Sequence, residues 1–205
     1  MEPKSTARDL EHIRLLMDRS VKFVSLSGLS GVLAGIYALL GAAYAYSQLY
    51  TGAAARSVTY IDGRIPVVAD LLVAAALVLI ASLATGWWFS FQKAKHAGVS
   101  LWTSTTRRLL VNLLVPLAAG GFFTLILLSQ QQYQLVASAV LLFYGLALMN
   151  ASGHLFEEIR YLAMLEIILG LVAAFFPANG LVFWSLGFGV LHIVYGLVMY
   201  KKYDR

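Results

Sequence analysis

Six separate stretches of this chain run for roughly twenty residues with almost nothing polar in them, and this constrains the fold more than any motif does. A helix needs about 20 apolar residues to cross the hydrocarbon core of a bilayer. The stretches fall at 23–46, 67–91, 106–128, 135–152, 158–176 and 181–200. The connections between them are short, and the longest, TGAAARSVTYIDGRIP at 51–66, holds an Asp62-Gly63 turn signal. Only 12% of the 205 residues are charged and 60% are hydrophobic, whereas a soluble domain carries about a quarter charged residues. The expected fold is all-α: a polytopic membrane bundle of six transmembrane helices over 23–200, with a segment 1–22 before it and a tail 201–205 after it.

Lys and Arg orient such a bundle, because cytoplasmic loops retain positive charge. Lys4, Arg8, Arg14, Arg19, Lys22, Lys93, Lys95, Arg107, Arg108, Arg160, Lys201, Lys202 and Arg205 all fall on one side of the six stretches. Arg56 and Arg64 fall on the other. Both termini are therefore expected in the cytoplasm. Aromatic residues mark the same borders: Trp87, Trp88, Phe89 and Phe91 precede Lys93, and Tyr200 and Tyr203 close the last stretch. The basic residues follow this topology and form no patch interleaved with aromatics, so the formal charge of +5 does not point to nucleic acid.

Residues 6–20, TARDLEHIRLLMDRS, place Leu10, Ile13, Leu16 and Met17 on one helical stripe with charges elsewhere. This predicts a short amphipathic helix that lies on the leaflet or extends the first span. Ala43-Tyr44-Ala45 has the form of a signal-peptidase site. The apolar run before it is too long for a signal peptide and its leader contains Glu2, Asp9, Glu11 and Asp18, so the first span is expected to be retained.

Small residues mark where membrane helices touch. Ser27, Gly31 and Gly35 recur every four residues in the first span and predict a tight helix contact. In the fifth span, Glu166 shares a face with Ala163, Gly170 and Ala173; in the last, His192 shares one with Ser185, Gly189 and Gly196. Both polar groups should therefore point into the bundle. The turn Pro177-Ala-Asn-Gly180 makes these two spans antiparallel neighbours. Counted from its midpoint, 178.5, Glu166 lies 12.5 residues back and His192 13.5 forward. The one-residue difference is about 1.5 Å of helix rise, so the two groups share a depth and are predicted to interact. A charged group at the bilayer centre costs about 2.5–3.5 kcal/mol on the lenient insertion scale, and a partner offsets part of that.

Pro116 in the third span has no N–H, which orphans the carbonyl of Asn112 and predicts a kink. Asn112, Glu166, His192 and Asn150, at the inner end of the fourth span, all lie toward the basic side. Together they predict a polar pocket for a ligand or proton, open to the cytoplasm. SGHLFEEIR at 152–160 has two readings. In one, Ser152 caps the fifth helix and Glu157 and Glu158 complement its dipole. In the other, His154 and Glu158 form the mouth of the pocket. His154, Glu158, Glu166 and His192 have the chemistry of zinc or iron ligands, but their spacing lacks the compact pattern of a metal motif. Neither a metal nor another cofactor is expected. Cysteine is absent, which removes thiolate chemistry.

HIRLLMDRSVKFVSLSGLSG at 12–31 and GFGVLHIVYG at 187–196 resemble a group of small six-span bacterial inner-membrane proteins of unknown function. The resemblance covers about a third of the chain and implies a multi-pass protein of the bacterial inner membrane. Three functions fit the residues. The first is a non-enzymatic protein that binds or transports a small solute, ion or proton, with Glu166 as its titratable group. The second is a structural or accessory subunit whose glycine faces serve a homo-oligomer or a membrane complex. The third, ranked last, is an intramembrane enzyme for a lipid or quinone, with Glu166 and His192 as acid and base or as metal ligands.

Overall fold

Backbone that leaves water must satisfy its own N–H and C=O groups, which favours continuous helices for long apolar runs. A computed structural model describes residues 27–51, 67–97, 102, 104–154 and 157–204. The segment expected to form an amphipathic helix, most of the 51–66 connection and the side chain of His154 lie outside the described residues. Among those described, every regular element is helical and there are no strands. The helices are α1 (Gly28–Tyr46), α2 (Val68–Ala97), α3 (Ser104–Ser129), α4 (Val136–Ala151), α5 (Glu157–Phe175) and α6 (residues 180–204). Five of them are long and apolar enough to cross a membrane, as in a multi-pass membrane protein. The other, α5, is 19 residues long and carries Glu157, Glu158, Arg160 and Glu166.

α4, α5 and α6 form the centre: α5 packs on α4, and α6 packs on both. α1 lies on α6, α2 lies on α1, and α3 lies on α4. α2 and α3 are thus flanking helices, and Leu77, Leu83, Val115 and Leu125 on them are each more than half exposed. In a bilayer such faces meet lipid tails, so their exposure carries no hydrophobic cost.

Glycines set the spacing of the helix pairs. A Cβ on Gly196 would stand 2.5 Å from the Val32 nitrogen and 2.6 Å from the Gly28 oxygen of α1. One on Gly28 would meet the backbone of Tyr200 and Gly196, and one on Gly35 the Gly189 oxygen at 2.6 Å. A Cβ on Gly31 would stand 3.2 Å from the Gly196 Cα. The close seam thus joins Gly28, Gly31 and Gly35 to Gly189 and Gly196, and Ser27 stands just before the helix in extended backbone. Gly170 and Gly145 do the same for α4 and α5, where the Ser138 hydroxyl also donates to the Gly170 carbonyl at 2.6 Å. These glycine faces are occupied within the chain itself.

α3 continues as one α-helix through Pro116. The carbonyl that Pro116 orphans is not left bare: the Asn150 side-chain amide of α4 donates to the Asn112 oxygen at 2.7 Å. Removing that donor leaves a carbonyl unpaired, at about 1–2 kcal/mol. Asn150→Ala is therefore expected to destabilise the protein by about that much. Pro116→Ala, which restores the backbone donor, should remove most of the penalty when the two are combined. Additive losses in a double-mutant cycle of unfolding in detergent would show that the Asn150 bond does not replace the missing one.

Candidate functional site

Glu166 is the tenth residue of the 19-residue α5, so it sits at the helix midpoint. Its neighbours on the buried face are Ile159, Leu162, Ala163, Gly170 and Ala173, which turn it away from the lipid-facing side. The residue is 0% exposed. His192 on α6 is 8% exposed, and its Nδ1 lies 3.6 Å from Glu166 Oε1. That distance is within electrostatic reach and longer than a hydrogen bond. Among the described residues neither carboxyl oxygen has a hydrogen-bond partner.

The imidazole, by contrast, is held at both nitrogens. Nδ1 lies 3.0 Å from the Gly187 carbonyl and Nε2 lies 2.7 Å from the Tyr144 hydroxyl. A carbonyl only accepts, so Nδ1 carries a proton and donates. Nε2 of the neutral ring then accepts the Tyr144 hydroxyl proton. Tyr144 and Phe188 enclose the ring, with centroids 5.4 Å and 5.9 Å from it, and Trp184 packs on Phe188 at 5.3 Å.

The α6 backbone shapes the site. Residues Ser185–Leu191 wind as a wide π-helical segment, a form that appears frequently at functional sites. The segment brings Gly187 against α4 and α5: a Cβ there would meet Leu141 Cδ2 at 2.4 Å and Glu166 Oε2 at 2.6 Å. Glycine at 187 is what leaves the carboxyl its space. Gly189 faces the other way, against Leu39 of α1.

At the basic end, Glu158 pairs with Lys202 and accepts from the Tyr203 hydroxyl at 3.1 Å, which ties the start of α5 to the end of α6. Ser152 does not cap α5. It opens the 3-10 turn after α4 and donates to the Met149 carbonyl at 2.7 Å, while α5 begins at Glu157. Between this rim and His192 lies Tyr195, whose buried hydroxyl has no hydrogen-bond partner among the described residues. At the opposite end, α1 and α6 leave an apolar groove lined by Leu39, Ala42, Tyr46, Leu181, Val182 and Ser185, away from the Glu166 pair.

The structure thus brings Glu166 and His192 together. It places Asn112 and Asn150 on the α3–α4 seam, engaged with each other. Tyr144, Tyr195 and Gly187 join the site without a sequence signal. Their polarity is modest, and their relevance depends on which helices pack together. Among the described residues no three of His, Asp and Glu converge. No protein-family model matches the chain, and neither a curated protein nor a solved structure matches it. The fold and site define a helical bundle of membrane-spanning character with a buried acid–imidazole pair at its centre.

Proposed function

We propose that this is a six-span protein of a bacterial inner membrane, with both termini in the cytoplasm, that binds or transports a small solute, an ion or a proton at Glu166 and His192. α5 supports the sixth span because it lies antiparallel to α4 and α6 at the same depth, with Gly145 against Ala163 and Ile167. The one-sided distribution of Lys and Arg supports the orientation. The resemblance of residues 12–31 and 187–196 supports the compartment.

One observation carries the functional reading. Glu166 is wholly buried at the middle of its helix, and neither oxygen is hydrogen-bonded among the described residues. Burying such a group without a partner costs about 1–3 kcal/mol in protein mutational data. A structural polar group offsets that cost with bonds, as Asn150 of α4 does by donating to α3; Glu166 makes none among the described residues. Ionisable residues inside membrane bundles are functional by default on this ground. The glycine faces, which an assembly role would leave free, are engaged inside the chain.

The test is transport by liposomes that carry the protein and enclose a pH-sensitive dye, driven in turn by gradients of protons, sodium and potassium. Glu166→Gln keeps the shape and removes the titratable group. It is expected to lower the rate of at least one of these fluxes tenfold or more. Equal rates for the two proteins under all three gradients would remove Glu166 from the function.

A further inference from the structure

We infer that the ligand of this site is the proton, and that it reaches Glu166 from the basic end through the Glu158–Tyr203 rim, Tyr195, Tyr144 and the His192 ring. The inference rests on the reading of Glu166 as the functional group.

The first ground is space. A single added Cβ at Gly187 would already collide with Leu141 and with Glu166 Oε2, so the carboxyl is packed directly against the α6 backbone on that side. His192 stands 3.6 Å from Oε1. A hydrated cation or an organic solute needs room at the carboxyl; a proton needs none.

The second ground is Tyr195. A buried tyrosine hydroxyl normally finds a partner, and this one has none among the described residues. It belongs to the same helix as His192, three residues nearer the basic end, or about 4.5 Å of rise. On the other side Tyr203 follows it by eight residues of the same helix, about 12 Å of rise. It therefore stands between two hydrogen-bonded clusters. Tyr203 and Lys202 hold Glu158 at the rim, and Tyr144 holds His192 beside Glu166. Among the described residues, the titratable groups along this line are Tyr144 from α4, Glu158 and Glu166 from α5, and His192, Tyr195, Lys202 and Tyr203 from α6. α1 meets α6 through glycines, and its Tyr37 hydroxyl is turned to Thr85 of α2.

The transfer balances without any change in heavy-atom bonds. The Tyr144 hydroxyl proton passes to His192 Nε2, and the Tyr144 oxygen takes a proton from the Tyr195 side through bridging water, since the two hydroxyls are not hydrogen-bonded to each other. The Nδ1 proton of His192 passes to the Glu166 carboxylate, after the two close by about 0.7 Å to hydrogen-bond distance. One proton has entered at the rim and one has arrived on Glu166. The ring is neutral again with its proton on Nε2, and release runs the same steps backwards.

The experiment follows the infrared carboxyl band of the full chain in oriented vesicles after a pH jump applied to one face. Glu166→Gln identifies the band that belongs to Glu166. The band should respond quickly to a jump on the Lys/Arg-rich face and slowly to one on the other. Tyr195→Phe should slow the response at least tenfold at an unshifted titration midpoint. Tyr144→Phe, which keeps the ring packed on Phe188, should do the same. A Glu166 band that responds at the natural rate in either variant, or equally from both faces, overturns the route and leaves Glu166 as the functional group. If no band disappears in Glu166→Gln, the Glu166 reading fails, and the route fails with it.

Discussion

Glu166→Met is expected to make the protein more stable while abolishing its function. The two side chains have similar volumes, so the core is refilled rather than emptied. What is removed is a carboxyl that is 0% exposed and has no hydrogen-bond partner among the described residues. The expected gain is about 1–3 kcal/mol, the mutational cost of burying such a group unpaired. His192 keeps both of its hydrogen bonds, to Gly187 and Tyr144, so the change orphans no partner. Unfolding in detergent, by heat or by a denaturing surfactant, measures the sign. A loss of more than about 1 kcal/mol would mean that Glu166 holds the bundle together, as a structural pair would.

Gly196→Ala is expected to be among the most destabilising single-methyl additions in the bundle. The added Cβ would lie 2.5 Å from the Val32 nitrogen, 2.6 Å from the Gly28 oxygen and 2.9 Å from the Gly31 carbonyl carbon. All three are backbone atoms, so no side chain can swing aside, and α1 as a whole must move off α6. The cost should reach about 3 kcal/mol, the upper end of the range for overpacked sites. Gly86→Ala is the control, because a Cβ there meets nothing within 4 Å. It should be neutral, or stabilising by up to about 1 kcal/mol through helix propensity. Equal melting points for the two variants would contradict the seam between α1 and α6.

Much of this arrangement was legible in the sequence, and the reasons differ by element. The helices were, because a run of apolar residues long enough to cross a bilayer has few other folds open to it. The shared depth of Glu166 and His192 was legible because a short turn fixes the register of the two helices it joins. Counting outward from it is then enough. Pro116 announced its orphaned carbonyl through the missing N–H, and Asn112 and Asn150 were visible as polar residues in apolar helices. That Asn150 repairs the Asn112 carbonyl was not visible, since it depends on α3 and α4 packing side by side. Tyr144 was hidden for the same reason: it sits 48 positions before His192 and reaches it only because α4 packs on α6. The wide turn at Ser185–Leu191 has no marker in the residue types. Gly187 is one small residue among several in its span, and nothing in the sequence shows that its neighbour is the Glu166 carboxyl. Sequence also implied an open polar vestibule at the basic end, where the structure sets Glu158, Lys202 and Tyr203 against one another. Charges of opposite sign at that border pair across the ends of α5 and α6.

The most direct measurement of the central claim is an equilibrium infrared titration of the reconstituted natural protein beside Glu166→Gln. The account predicts a protonated-carboxyl band that appears and disappears with pH in the natural protein and is missing from the variant. Identical spectra across the titration would contradict it, because Glu166 would then exchange no proton.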